Sequence, residues 1–85
     1  MDPYEIIYHP YVTEKTMNLM EKDNALEFVV GRKANKKQIK KAIEKMFEVK
    51  VKEVNTKITK NGKHAIVTFM PEFKAEEIGM RIGIF

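Results

Sequence analysis

Between Arg32 and Lys63 the chain carries Arg32, Lys33, Lys36, Lys37, Lys40, Lys41, Lys45, Lys50, Lys52, Lys57, Lys60 and Lys63, opposed only by Glu44, Glu48 and Glu53. Twelve cations against three carboxylates give this segment a charge of +9. The whole chain is +4, so the remainder is −5. Closely spaced ammonium groups repel one another until a polyanion relieves them, so the chemistry on offer is the holding of phosphate. RNA is the expected partner. Lys33, Lys36 and Lys37 open one cluster of candidate contacts, and Lys57, Lys60, Lys63 and His64 gather in a second. Beside the second cluster, Asn55 and Thr56 offer side chains that bond to phosphate, to a sugar hydroxyl or to an exposed base edge.

Catalytic chemistry has little to work with. His9 and His64 are the two histidines, neither with a companion at metal-ligand spacing, and the chain has no serine and no cysteine. Gly31, Gly62, Gly79 and Gly83 are scattered and form no phosphate-binding loop. No arginine sits in a glycine-bracketed loop near the start, which separates the chain from small ferredoxin-like acyl-phosphate hydrolases. The expectation is therefore no enzyme, no metal, no cofactor and no small-molecule substrate. Without cysteine the chain fits a reducing compartment. Asp2 and Glu5 near the start do not suit a secretory signal, and no apolar run approaches a membrane span, so a cytoplasmic location without a membrane partner is expected.

Eighty-five residues make one domain, residues 1–85, with a single modest core. The elements that must position the lysines follow from periodicity. Tyr4 to Tyr8 is a short apolar stretch that reads as the first strand, stopped by His9-Pro10. Thr13 has the chemistry of a helix N-cap, with Val12 and Met17 spaced as a hydrophobic staple. This helix should run to about Lys22 with Met17 and Met20 inward. Leu26, Phe28 and Val30 alternate as a strand. Asn35 and Gln38 form a capping box for the clearest helix, whose Ile39, Ala42, Ile43, Met46 and Phe47 share one face. Along that helix Lys36 and Lys40, Lys37 and Lys41, and Lys41 and Lys45 are like-charge neighbours, a pattern that also suits a solvated outer face.

Val49 to Ile58 and His64 to Met70 read as strands joined through Asn61-Gly62, a hairpin signal. A change of parity after Val51 predicts a bulge, or a strand that begins near Lys52. Phe73 to Arg81 is a short, weaker helix, with Phe73, Glu77 and Met80 too sparse to bury much. Phe28 and Phe69 are expected in the core rather than as stacking platforms. A helical crossover joins the second and third strands, so they should run parallel, with the fourth between them. The expected fold is an α/β, ferredoxin-like-related split βαβ sandwich with a four-stranded, mostly antiparallel sheet.

Three segments carry a family likeness: His9-Pro10-Tyr11-Val12-Thr13-Glu14-Lys15; Phe47-Glu48-Val49-Lys50-Val51 leading into Val54-Asn55-Thr56; and Arg81-Ile82-Gly83-Ile84-Phe85. In this order the chain resembles, from end to end, the archaeal form of universal large-subunit ribosomal protein twenty-three. The resemblance implies a structural protein bound to the third domain of large-subunit ribosomal RNA at the rim of the polypeptide exit tunnel. It also implies neighbouring ribosomal proteins as partners, and a docking platform for nascent-chain factors, the signal recognition particle among them. Carried over from the family's motifs, the RNA contacts are Thr13, Lys15, Asn55, Thr56, Lys57 and Lys63. Bacterial members have a long hairpin loop that enters the tunnel wall; here the turn is short, which confines the expected contact to the rim. The −5 remainder should face partners rather than phosphate, which nominates Glu14 as a docking contact. A free-standing RNA-binding module off the ribosome is the alternative that the charge pattern leaves open.

Overall fold

The computed structural model describes residues 3–84, in the order α1 (Pro3–Ile6), β1 (Ile7–Pro10), α2 (Glu14–Asp23), β2 (Ala25–Val30), α3 (Lys36–Phe47), β3 (Val51–Thr59), β4 (Gly62–Phe69) and α4 (Ala75–Arg81). Asp2 and Phe85 of the sequence reading lie outside the described residues. The strands form one sheet in the order β1-β2-β4-β3, and every neighbouring pair is antiparallel. With β4 between them, β2 and β3 run in the same direction, joined by α3. This is the expected split βαβ arrangement.

Two cap networks start the long helices. Asn35 accepts the Gln38 amide at 2.8 Å while the Gln38 side chain accepts the Asn35 amide at 3.0 Å. In α2 the Thr13 hydroxyl accepts the Thr16 amide at 3.2 Å, and Thr16 Oγ1 accepts the Thr13 amide at 2.7 Å. The second of these is a full capping box with threonine at the third helical position, where glutamate or glutamine is usual. The core lies on one face of the sheet. Leu26, Phe28 and Val30 of β2, Ala65, Val67 and Phe69 of β4, and Val51 and Val54 of β3 pack with Ile39, Ala42 and Ile43 of α3, Met20 of α2 and Ile78 of α4. Phe28 and Phe69 are each 1% exposed, as expected of core aromatics, and Phe28 stacks on Phe47 with centroids 6.1 Å apart.

Four local expectations change. Pro3–Ile6 is a helical turn rather than the start of a strand, and β1 runs through Pro10 instead of stopping before it. Proline is tolerated there because β1 is an edge strand, where a missing N–H breaks no ladder. The helix α4 buries Ala75, Ile78 and Gly79, with Ile82 packed against the core, while Met80 is 56% exposed. Positions 75, 78, 79 and 82 make a better helical stripe than Phe73, Glu77 and Met80. The hairpin turns through Lys60-Asn61, with Thr59 paired to Gly62, and only Gly62 takes positive φ, at 117°. The parity change in β3 is a register shift between Val51 and Glu53, in a strand that begins at Val51.

Candidate nucleic-acid interface

Cross-strand register gathers the cations. Val30, the last residue of β2, pairs with Ile7 on one side and Lys63 on the other, and Lys63 pairs with Ile58. One residue beyond that row lie Gly31 and the Thr59–Gly62 pair, which closes the Lys60-Asn61 turn. The Ala34 amide donates to the Gly31 carbonyl at 3.0 Å, closing a turn whose corners, Arg32 and Lys33, are both exposed. The Asn35 cap then starts α3, and its first turn presents Lys36 and Lys37 to solvent with no acidic residue among them. Arg32, Lys33, Lys36, Lys37 and Lys60 thus share one end of the sheet. Here the helix-start dipole and the ammonium groups add in sign, a suitable seat for phosphate. Arg32 was counted in the basic segment by the sequence reading but was not singled out as a contact.

Lys63 belongs to the same end but has a structural bond. Its ammonium donates to the Ala34 carbonyl at 2.6 Å, tying the hairpin to the turn before α3. The side chain is half-buried, so reversing its charge would disturb the end of the sheet as well as any phosphate contact.

Asn55 and Thr56 are adjacent in β3 and therefore point to opposite faces. Asn55 pairs with Ile66 on the open face and is exposed; Thr56 pairs with Ala65, whose side chain is in the core, and is half-buried. Only Asn55 stands free on the open face, with Lys57 two residues along. The Lys57 ammonium lies 3.6 Å from the Glu27 carboxylate, and its side chain is 47% exposed. The register shift that sequence reasoning weighed for this region involves Val51 to Glu53, so Asn55 is a regular strand residue.

His64, expected at the surface, is 2% exposed. Its Nδ1 donates to Glu27 Oε2 at 2.7 Å, and its ring meets Tyr11 edge-on with centroids 4.5 Å apart. Glu27 is buried as well, at 3% exposed, although it sits in a strand whose alternation places it outside. The strand β2 is central, and its second face is covered by Tyr11, His64 and the stem of Lys57. No signal in the strand itself announces this; the register that sets Lys57 opposite His64 and His64 opposite Val29 does. Removing either partner leaves the other's buried polar atom without this hydrogen bond, at a cost of about 1–3 kcal/mol. His64 and Glu27 thus support Lys57 from beneath.

Thr13, Glu14 and Lys15 stand apart from the cationic end. Tyr11 donates its amide to Glu27 O, at mid-sheet, and α2 starts just after it. Thr13 is absorbed in the cap, its hydroxyl accepting Thr16 N–H and its carbonyl accepting the Thr16 hydroxyl at 3.0 Å. Glu14 and Lys15 are exposed in the first turn of α2. Among the described residues no group of His, Asp and Glu could hold a metal ion, and no helix is long and apolar enough to cross a membrane.

The family model for Ribosomal protein L23 matches residues 5–76. Three archaeal relatives named large ribosomal subunit protein uL23 are similar over nearly their whole length. That of Methanothermobacter thermautotrophicus is 48% identical, with all of both chains covered. That of Picrophilus torridus is 54% identical, over 95% of this chain and 99% of the relative. The protein of Methanobrevibacter smithii is 52% identical, again with both chains fully covered.

Proposed function

The chain belongs to the ribosomal protein L23 family, and we propose that it anchors on large-subunit ribosomal RNA through the cationic end of its sheet, at the rim of the polypeptide exit tunnel. The family makes it a structural constituent of the large ribosomal subunit in the cytoplasm, not an enzyme. The convergence of Arg32, Lys33, Lys36, Lys37 and Lys60 on one end of the fold supports the RNA reading. Those cations come from a turn, a helix start and a hairpin, and no carboxylate in the first turn of α3 offsets them. Asn55 and Lys57 extend the footprint onto the open sheet face. There Lys57 gives affinity for any phosphate, while the Asn55 amide, donor and acceptor together, orients one nucleotide. Glu14, exposed at the start of α2, faces nascent-chain factors such as the signal recognition particle.

The test is binding of the full chain to a fragment of the third domain of large-subunit ribosomal RNA across a salt series. A variant with Lys33→Glu, Lys36→Glu and Lys37→Glu should bind more weakly, and its slope of log affinity against log salt should be shallower by about 2 to 3, at roughly 0.7–0.9 per phosphate contact. Unchanged affinity and slope would remove this end of the sheet as the RNA surface. Co-sedimentation with large subunits through high salt separates the ribosomal role from that of a module acting on RNA elsewhere.

A further inference from the structure

Tyr8 has no role in the cation cluster described above, yet it stands beside it. Although β1 is short and Ile6 and Ile7 are buried, Tyr8 is 58% exposed. Its hydroxyl oxygen lies 3.5 Å from the point where a Cβ on Gly31 would stand, so the phenol rests against the Gly31–Ala34 turn. That Cβ would also approach the Glu5 carbonyl to 3.2 Å, which is why glycine suits this floor. With Glu5, Ile6, Arg32 and Lys33, Tyr8 lines an open cleft of about 370 Å³, a size within the roughly 300–1,000 Å³ of small-molecule sites.

The cleft is asymmetric in charge. Arg32 and Lys33 form one rim and lead directly to Lys36 and Lys37, whereas Glu5 is the one carboxylate lining it among the described residues. An exposed aromatic ring with a row of cations along one side has the layout of single-strand recognition: the ring takes the π-face of a base and the cations take the flanking phosphates. Double-helical RNA keeps its bases stacked inside and offers such a ring nothing to cover it. We propose that the Tyr8 cleft binds an unpaired RNA nucleotide, its base stacked on the phenol and its phosphates held by Arg32, Lys33 and the first turn of α3. Glu5, a carboxylate in the same lining, repels phosphate and so favours a backbone path along Arg32 and Lys33. This rests on the RNA reading above and adds that the strand is single where it crosses β1.

The chain contains no tryptophan, so Tyr8→Trp places a single fluorescent reporter in the cleft of the full-length protein. The probes are an oligoadenylate of about twelve nucleotides and an abasic strand of equal length and charge. Oligoadenylate should quench the Trp emission while the abasic strand leaves it unchanged. Tyr8→Ala should weaken oligoadenylate binding by about 5- to 150-fold, the equivalent of losing one stacked base, with Tyr8→Phe close to wild type. Binding of the abasic strand and the salt slope should not move, because every cation is retained. Emission that responds equally to both strands, or wild-type affinity of Tyr8→Ala for oligoadenylate, overturns the stacked nucleotide while leaving the ribosomal RNA reading intact. Failure of the wild-type chain to bind the ribosomal RNA fragment as well would overturn both.

Discussion

The Asn24 side chain donates to the carbonyls of Phe69, at 3.3 Å, and Phe73, at 2.9 Å, while its oxygen accepts the Ala75 amide at 2.7 Å. Its backbone adopts φ 55°, ψ 43° and ends α2. One residue therefore closes a helix, pins the end of β4 and caps α4, whose own N-cap, Lys74, supplies no side-chain bond. Sequence reasoning finds a turn at Asp23-Asn24 because asparagine tolerates the left-handed region, but the three partners lie 45 to 51 residues away and leave no local trace. Asn24→Gly keeps the backbone freedom and loses the bonds, so it should destabilise the fold by about 2–3 kcal/mol, at roughly 1 kcal/mol per bond. Asn24→Ala should cost about 1 kcal/mol more, since alanine resists positive φ. Urea unfolding measures both, and equal stabilities of the two variants would show that the backbone conformation contributes nothing.

At the scale of elements, what was legible in the sequence was what is set locally. Asn35 with Gln38, Thr13 as a cap, the alternation of β2 and the inward stripe of α3 all follow from neighbours a few residues apart. The start of β1, the buried side of α4 and the second buried face of β2 depend on which strand became central and which became an edge, and no short window contains that. The site divides in the same way. The lysines were legible as a charged run, whereas the burial of His64, the inward turn of Thr56 and the exposure of Tyr8 were set by strand register. The helix α3 shows what the charged run costs. Lys41 has Lys37 before it and Lys45 after it at helical spacing, and all three are exposed. Lys41→Glu replaces two repulsions with two attractions but turns the Lys41–Glu44 attraction into a repulsion, each worth roughly 0.2–0.5 kcal/mol, and should stabilise the isolated chain by roughly 0.4–1 kcal/mol. It should also lower affinity for ribosomal RNA if α3 lies along the backbone. A gain in thermal stability with RNA affinity unchanged would make this stretch of α3 a solvated face, and would confine the interface to the first turn and the hairpin.

Across the whole molecule, charge is sorted along the sheet. The end bearing Arg32, Lys33, Lys36, Lys37 and Lys60 is cationic, while the opposite end, around Asn24 and Phe69, mixes Glu21, Asp23, Glu76 and Glu77 with Lys22, Lys52 and Lys74. Glu14 belongs to neither end. From Ile7, in the row at the cationic end, to Tyr11, just before α2, the partner strand advances from Val30 to Glu27, three residues or about 10 Å. That exceeds the screening length of roughly 8 Å at physiological salt. An RNA covering the cationic end leaves Glu14 exposed and electrostatically its own, free to meet a basic patch on a nascent-chain factor. Its carboxylate also complements the positive start of α2, worth about 0.3–1 kcal/mol, and the two roles separate by measurement. The Thr13–Thr16 box does not use the Glu14 side chain, so Glu14→Lys leaves the cap intact. On ribosomes carrying that variant, association of the signal recognition particle should slow by roughly three- to tenfold at low salt and lose much of its salt dependence, as expected of a charge at the rim of an interface. The affinity of the free chain for ribosomal RNA should stay at the wild-type value or rise slightly. Wild-type association kinetics together with a lower melting temperature would leave Glu14 with the helix-start role alone.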